Sequence, residues 1–377
     1  MRRRTFVRTG AVAAGVGVAG CVSPATDDDP GDDDHEDDEV NGADDSEEDA
    51  GDDGTLRIAT YSSMVTGENP AGEWLTEAFE AEFPDAELEW TVPESGIDHY
   101  VQRTRLGAEV DADVYLGLSV DGLVLADAAA GVSLFETLDR SRLERESRIQ
   151  QELSFDDPDG RIVPFGVGYV APVYDGRTHS APETLDELLE ERYENALLAQ
   201  DPRYSTPGRA FLLWTIATYG EEYLEYWEGL LDNGLEVRRS WTDTYRDGYL
   251  EGERSTVVSY TTDQVAATVA DRDLERHQVA TPGGEAVRSV EGMAVFEGSE
   301  ERELAYEFLD FVLSRQAQGE LATRNVQFPA VEGEYVGVEE AFVDYAIEPD
   351  EAVTTTYDDL EGELEGWIEA WASEIAD

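Results

Sequence analysis

The sequence contains no lysine: all 26 basic residues are arginine, against 87 aspartates and glutamates in 377 residues. Without lysine, the chain cannot use a Schiff base, a P-loop lysine or a kinase-type strand lysine. The net charge of −61 argues against binding to nucleic acid or to an anionic membrane surface, because the protein's field repels polyanions. Acidic surfaces with arginine in place of lysine are typical of proteins adapted to high salt, as in salt-loving archaea.

Cysteine and histidine are also scarce. Cys21 is the one cysteine, so neither an intramolecular disulfide nor a cysteine-rich metal site can form. The four histidines lack the spacing of a zinc motif; they are His35, His99, His179 and His277. No G-x-S-x-G elbow is present either. We therefore expect no catalytic residue, no metal site and no cofactor.

One acidic turn has a weak metal-binding pattern. Residues Asp156 to Gly160, DDPDG, are similar to the start of a calcium loop. The glutamate expected at the twelfth position of such a loop is missing, which favours a surface turn.

The first 21 residues have the pattern of an export signal. Arg3 and Arg4, followed by Thr-Phe-Val, resemble a twin-arginine motif, and the apolar stretch 10–20 is too short to span a membrane. The sequence VAGC ending at Cys21 resembles a lipobox, in which the cysteine carries the lipid anchor. The alternative is an ordinary cleaved signal with an incidental cysteine. We expect Tat export and lipid anchoring through Cys21 at the extracellular face of the membrane.

Residues 22–54 are predicted to form a disordered acidic tether. Within this segment, residues 27–53 hold 17 acids and no lysine or arginine, so they cannot bury enough apolar surface to offset chain entropy. A metal-collecting acidic tail is the alternative. The globular body then begins at Thr55, and we expect it to be soluble because no other stretch approaches 18 apolar residues.

The body alternates strand and helix patterns. A β-α-β-α-β order over residues 56–130 predicts a doubly wound α/β sheet with ligands beyond the carboxyl ends of its strands. Residues 161–175 and 287–296 are extended and suit strands that cross between two lobes. The predicted lobes are 55–167 with 288–330, and 168–287 with 331–377. Amphipathic helices are predicted at 182–193 and 358–375.

Three segments have the composition of a ligand site. Ser205, Thr206 and Gly208 precede an apolar helix, whose free backbone N–H groups bind a hydroxyl, phosphate or carboxylate. Ordinary helix capping is the alternative. Aromatic side chains beside small hydroxyl residues suit a flat ring or a cation, although core packing is the commoner use for any single one of them; they are Trp241, Tyr245 and Tyr260. Tyr61 follows the first strand, where such sheets bind ligands.

Five motifs, in matching order and spacing, resemble the thiamine-binding solute receptors of ABC importers. They are ADVYLGL at 112–118, VPFGVGYVAPVYD at 163–175, QDPRYSTPGRAFLLW at 200–214, SWTDTY at 240–245 and SYTTD at 259–263. The resemblance covers about Thr55 to Trp371. It implies a monomer with the two-lobe type II periplasmic-binding fold and crossing hinge strands. It also implies capture of thiamine or its phosphates for an ABC permease and its ATPase.

The resemblance implies a ligand site with some departures. The retained positions would box the rings or hold the hydroxyethyl or phosphate end of the ligand; they are Tyr61, Ser205, Thr206, Gly208, Trp241, Tyr245 and Tyr260. Ser119 stands where the receptors carry aspartate, and Asp121 follows two places on. Ser62 also replaces an aspartate, and Val326 replaces a ring-stacking tryptophan. Another flat organic cation is therefore an alternative ligand.

Three other functions fit the pattern less well. A ferric-iron receptor of the same fold uses adjacent tyrosines, whereas Tyr260 is followed by Thr261 and Thr262. A thiamine-degrading enzyme on this scaffold needs a cysteine nucleophile, and Cys21 lies in the lipobox. A surface lipoprotein without a small ligand leaves the ordered motifs unexplained.

Overall fold

The computed structural model describes residues 54–131 and 133–375. The predicted signal 1–21, its Cys21 and residues 22–53 of the predicted tether lie outside the described residues. Among the described helices, none is both long enough and apolar enough to cross a membrane.

Eleven strands of the described chain join one mixed sheet. Its main path runs β2-β1-β3-β9-β4-β7-β5-β6, while β8 and β10 pair with β4 and β11 pairs with β9. The strands are β1 Thr55–Ala59, β2 Glu87–Thr91, β3 Val114–Ser119, β4 Val163–Tyr174, β5 Leu197–Gln200, β6 Glu236–Arg238, β7 Thr256–Tyr260, β8 Gln278–Val279, β9 Glu285–Val295, β10 Phe328–Pro329 and β11 Glu351–Val353.

Twelve α-helices of the described chain pack on the sheet. They are α1 Ser62–Val65, α2 Ala71–Glu82, α3 Ile97–Arg105, α4 Val120–Ala130, α5 Thr206–Tyr219, α6 Tyr223–Asp232, α7 Asp263–Val269, α8 Arg302–Val312, α9 Arg315–Arg324, α10 Glu340–Tyr345, α11 Tyr357–Leu360 and α12 Leu364–Ile375.

Two long strands give the sheet its two-lobe form. The twelve residues of β4 and the eleven of β9 pair antiparallel at the centre of the sheet. The parallel strands β2, β1 and β3 lie on the β9 side, whereas β7, β5 and β6 lie on the β4 side. Both long strands match segments predicted to cross between lobes. The two-lobe type II fold with crossing strands is thus confirmed.

Two large apolar clusters of the described chain lie between the helices and the sheet. Against β1 and β3, α2 and α8 bury Leu75, Phe79 and Phe308. The second cluster extends from α4 to α5, α6 and α12, where Trp227 packs edge-on against Trp371 at a centroid distance of 5.3 Å. These two cores fix the helices whose first turns border the candidate site.

Two predicted helices are wrong in detail. Residues 182–193 form two short 3₁₀ segments, Leu185–Leu189 and Glu191–Tyr193, because Glu190 between them is extended. Leu185 and Leu188 are still buried, which the three-residue repeat of a 3₁₀ segment also permits. The predicted helix 358–375 is divided into α11 and α12. Between them Gly362 has a φ of +78°, which ends the first helix.

Candidate functional site

Tyr61 lies directly after β1, at the carboxyl edge of the sheet. Its hydroxyl donates a hydrogen bond of 2.8 Å to Glu291 Oε2 on β9. The ring lies so close to Gly117 on β3 that a Cβ there would be 2.4 Å from Tyr61 Cε1, and Gly117 also has a φ of +103°. Glycine is therefore required in the ADVYLGL motif for Tyr61 to lie flat on the strand.

Glu291 stands at the centre of the sheet. It pairs with Ser119 on β3 and with Gly166 on β4. Directly opposed residues on neighbouring strands share a face of the sheet, and Gly166 has no side chain on the face of Glu291. Burial raises the pKa of Glu291 to about 7, although the hydrogen bond from Tyr61 opposes the shift. An acid of this kind was missed from the sequence, where its signal was a single glutamate within the apolar run SVEGMAV.

Tyr260 lies at the end of β7 on the other side of the crossing strands. A Cβ on Gly168 would be 2.9 Å from its ring atoms, so the ring lies over β4. Burial raises the pKa of Tyr260, and the nearby carboxylates of Glu291 and Asp121 raise it further, while Arg209 opposes them. Tyr61 and Tyr260 are both partly exposed. The structure thus places two tyrosines and one carboxylate around the glycines of β4.

The segment after α9 completes this side of the site. Asn325 Nδ2 donates to the Tyr61 hydroxyl at 2.6 Å and also to Gln327 Oε1. The Gln327 amide lies over Gly166, and its Nε2 atom is buried with no hydrogen-bond partner in the described chain. Val326, where the receptors carry tryptophan, has a φ of +54° and packs on the Phe342 cluster. Asn325 and Gln327 are further site residues that the sequence interpretation missed.

Trp241 and Tyr245 form a second aromatic group. Their rings are stacked at a centroid distance of 4.6 Å and an interplanar angle of 11°. Tyr245 is buried and donates to Asp263, whereas Trp241 is partly exposed and donates from Nε1 to Ser259 Oγ at 3.0 Å. Ser259 and Tyr260 are adjacent on β7 and therefore face opposite sides of the sheet. The described contacts accordingly link Trp241 to Tyr245, not to Tyr260.

The first turn of α5 combines capping with close packing. Ser205 is the N-cap residue, but its side chain makes no capping hydrogen bond. Thr206 Oγ1 accepts from Arg209 Nη2 at 3.3 Å. A Cβ on Gly208 would lie 2.6 Å from the Gln200 carbonyl oxygen, so this glycine lets α5 approach β5. We find a packing role for Gly208, and a ligand role for Ser205 and Thr206 stays a prediction.

Asp121 of α4 is paired with an arginine of α5, a helix that follows β5 beyond the central strands β9 and β4. Arg209 Nε donates to Asp121 Oδ2, and both side chains are nearly buried, at 11% and 12% exposure. Ser119, two residues earlier, caps α4 by accepting from the Gly122 N–H at 3.3 Å. The resemblance placed Ser119 and Asp121 among the ligand-binding positions, and a ligand role for them stays a prediction; in the structure the Asp121 carboxylate is paired with Arg209. Arg209 was not predicted as a site residue.

A pocket of about 270 Å³ adjoins this ion pair. It is bordered by the first turn of α4, by the second turn of α5, by residues 287–290 of β9 and by residues from the segments 151–156 and 354–356. Asp121 and Ala210 line it, while the tyrosines and Trp241 do not. The described residues contain no cluster of histidine, cysteine, aspartate or glutamate that would hold a metal ion. Aromatic rings and carboxylates therefore define the chemistry of the site.

Comparison with known proteins identifies the family. Residues 124–360 match the family model of bacterial extracellular solute-binding proteins. The chain belongs to this family. Because the similar proteins bind solutes and catalyse no reaction, this solute-binding protein is not an enzyme.

Individual relatives agree with the sequence resemblance. The thiamine-binding periplasmic protein of Escherichia coli strain K12 is 29% identical over 327 residues, which cover 85% of this chain and 93% of the relative. The protein of that name from Brucella suis biovar 1 is 30% identical over 278 residues, covering 73% of this chain and 79% of the relative. The solved structure of a periplasmic thiamin binding protein has a TM-score of 0.74 at 28% identity, covering 86% of this chain and 96% of that one.

Proposed function

We propose that this solute-binding protein captures thiamine, or a thiamine phosphate, between its two lobes and delivers it to an ABC permease. The observation that carries the proposal is the pair of partly exposed rings, Tyr61 after β1 and Tyr260 at the end of β7, which stand on the two sides of the crossing strands. The partly exposed Trp241 belongs to a second aromatic group beside Ser259 of β7. Relatives across most of the chain are named as thiamine-binding proteins, which supports this choice of ligand.

Thiamine has the chemistry that such a site binds. It is built of flat rings, and its thiazolium carries a positive charge that does not titrate. Aromatic faces attract a cation by roughly 0.5–2 kcal/mol per contact. The acidic protein surface adds long-range attraction, although salt shortens its range. The site therefore matches a flat organic cation in both shape and charge.

Titration calorimetry of the purified protein in molar salt tests the ligand. We expect 1:1 binding of thiamine and a rise in the melting temperature when thiamine is added, since a ligand that binds only the folded state stabilises it. Ferric iron serves as the comparison ligand. A melting shift with ferric iron and none with thiamine would overturn the assignment.

We also propose that Tat export and a lipid on Cys21 hold the protein at the outer face of the membrane of a salt-adapted cell. The acidic segment after Cys21 then serves as a spacer for the folded body. Cys21→Ser should release the protein from cells into the medium and leave thiamine affinity unchanged, because anchoring and binding use separate segments. Retention of this variant in the membrane fraction would contradict a lipid anchor at Cys21.

A further inference from the structure

Glu291 lies near the middle of the sheet, where β9 is flanked by β3 and by the other crossing strand, β4. It lies on β9 between Ser119 of β3 and Gly166 of β4. The Gln327 amide lies over Gly166 and the Tyr260 ring over Gly168. Tyr61 donates its hydroxyl hydrogen bond to Glu291, so the two tyrosines stand on either side of the carboxylate. A ligand that contacts both tyrosines would therefore pass over the Glu291 carboxylate.

The charge of Glu291 is not balanced by the protein. In the part of the chain that the structure describes, its hydrogen bond comes from the neutral Tyr61 hydroxyl, and no arginine forms an ion pair with it. The Asp121 carboxylate, by contrast, is paired with Arg209. A buried carboxylate without a cationic partner is costly to ionise. Glu291 is therefore either protonated or available to pair with a cation that binds beside it.

We propose that Glu291 is the specificity-determining counter-charge, whose carboxylate faces the positively charged ring of the bound ligand. This inference rests on the proposed function, because it assumes that the ligand is a flat organic cation. Tyr61, held by Asn325, orients the carboxylate through its hydroxyl. A neutral ligand of the same shape gains nothing from this charge, so Glu291 selects cations.

Binding should then depend on pH in one direction. With its pKa near 7, Glu291 is largely protonated at pH 6 and largely ionised at pH 8, and a cation binds the ionised form better. Affinity should rise with pH through this range, with proton release on binding below pH 7.

The groups that face Glu291 keep their charge over the same range. Burial holds the pKa of Tyr61, Tyr115 and Tyr260 above the ordinary value, so these tyrosines stay neutral. Arg209 is paired with Asp121. The neighbours from β3, β4 and the segment after α9 have side chains that do not titrate; they are Ser119, Gly166, Asn325 and Gln327. The pH dependence is therefore assigned to Glu291.

The experiment compares wild type, Glu291→Gln and Tyr61→Phe by calorimetry with thiamine from pH 6 to 8.5. Wild-type affinity should rise by about fivefold or more over this range, and Glu291→Gln should bind about tenfold more weakly at pH 8 with little pH dependence. Tyr61→Phe keeps the Glu291 carboxylate but removes the hydrogen bond that lowers its pKa. The rise of thiamine affinity with pH should therefore occur at a higher pH in this variant than in wild type. Melting temperatures verify that each variant is folded.

The outcomes separate this inference from the proposed function. Wild type that fails to bind thiamine at every pH overturns both. If wild type binds thiamine and folded Glu291→Gln binds equally well with the same pH profile, only the role of Glu291 is overturned. The neutral aminopyrimidine half of thiamine is the matched control ligand: its affinity should be the same for wild type and Glu291→Gln. An equal loss for this fragment would show that Glu291 acts through site geometry and would also overturn the counter-charge.

Discussion

Two stacked rings at the candidate site differ in how far water reaches them. Trp241 is partly exposed, while Tyr245 beneath it is buried among Val173, Leu198 and Tyr249. One face of the tryptophan is therefore occupied by protein, and only its exposed part is open to solvent. From the sequence, both rings were predicted to line the ligand site. No contact in the structure tests that prediction.

Trp241→Ala should weaken thiamine binding by about 1–3 kcal/mol, roughly tenfold to a hundredfold, through the loss of stacking and cation attraction. Its melting temperature should stay near that of wild type, because the ring is not fully buried. Calorimetry and thermal unfolding on the same preparation measure both effects.

Tyr245→Ala provides the contrast to Trp241→Ala. Removing this buried ring leaves a cavity and takes a hydrogen-bond donor from Asp263, which should lower the free energy of unfolding by about 3–5 kcal/mol. If Trp241→Ala proved as unstable as this variant and kept its ligand affinity, Trp241 would belong to the core and not to the cleft.

The residues that sequence reasoning missed are those whose role depends on a distant partner. Glu291 meets Tyr61 across 230 positions of the chain, and Asn325 meets it across 264. Carboxylates are too common in this chain for any one to signal a site. Motifs such as ADVYLGL at 112–118 were visible because consecutive residues carry the pattern, although the contact of Gly117 with Tyr61 was not.

At the scale of single elements, the strands were more predictable than the helices. The segments predicted at 161–175 and 287–296 are β4 and β9, since long apolar runs with few turn residues favour buried strands. The π-helix Thr242–Tyr249 was not predicted. Trp241 lies directly before this helix and stacks on Tyr245 within it.

The turn at residues 156–160, predicted as a surface turn, is bound by the buried side chain of Arg161. Asp157 in the 156–160 turn accepts from Arg161, which also binds Asp127 of α4 with two hydrogen bonds of 2.9 and 2.8 Å. Tyr357 of α11 donates to the same Asp127. Burial raises the pKa of Asp157, but the hydrogen bonds from Arg161 outweigh it and hold this pKa below the usual range. One arginine thus ties together α4, α11 and the start of β4.

Arg161→Met should destabilise the protein by about 3–5 kcal/mol at pH 7, because it leaves two carboxylates without their cation. Wild type should lose stability as the pH falls through the depressed folded-state pKa of Asp157. The variant should lose less, since its unpaired carboxylates are relieved by protonation, so the difference should shrink toward pH 4. Urea unfolding at both pH values measures this.

Arg103→Met is the matched control for Arg161→Met. Arg103 pairs with Asp111 at 3.3 Å, and the two side chains are 33% and 56% exposed. An exposed pair of this kind should contribute less than about 1 kcal/mol. Equal destabilisation by the two variants would contradict the special role of the buried arginine.

For the whole molecule, charge limits how the two lobes can approach. Residues 54–377 hold 70 acids and 22 arginines, which leaves a net charge of −48 on the body. Mutual repulsion favours separation of the lobes, and molar salt reduces it by shortening the screening length to about 3 Å. Contacts that hold the lobes together must therefore be specific, and the Asp121–Arg209 pair is one of them.

The position of this pair in the sheet makes it a link between lobes. α4 follows β3 and α5 follows β5, and these strands lie on opposite sides of β9 and β4. Asp121 and Arg209 are nearly buried, so salt screens their attraction less than it screens the surface repulsion. Arg209→Leu should consequently let the lobes separate, with a larger radius of gyration in X-ray scattering of the ligand-free protein. Asp121→Asn should have the same effect.

The double variant Asp121→Asn with Arg209→Leu isolates the interaction. If the two side chains act on closure as one pair, the double variant should open no further than either single variant, and their unfolding free energies should show a coupling of about 0.5–3 kcal/mol. The coupling should persist in molar salt, where an exposed pair such as Arg103–Asp111 contributes little. Additive effects on both scattering and stability would mean that the residues act independently. Closure would then depend on the ligand alone, with Glu291, Tyr61 and Tyr260 supplying the contacts that draw the lobes together.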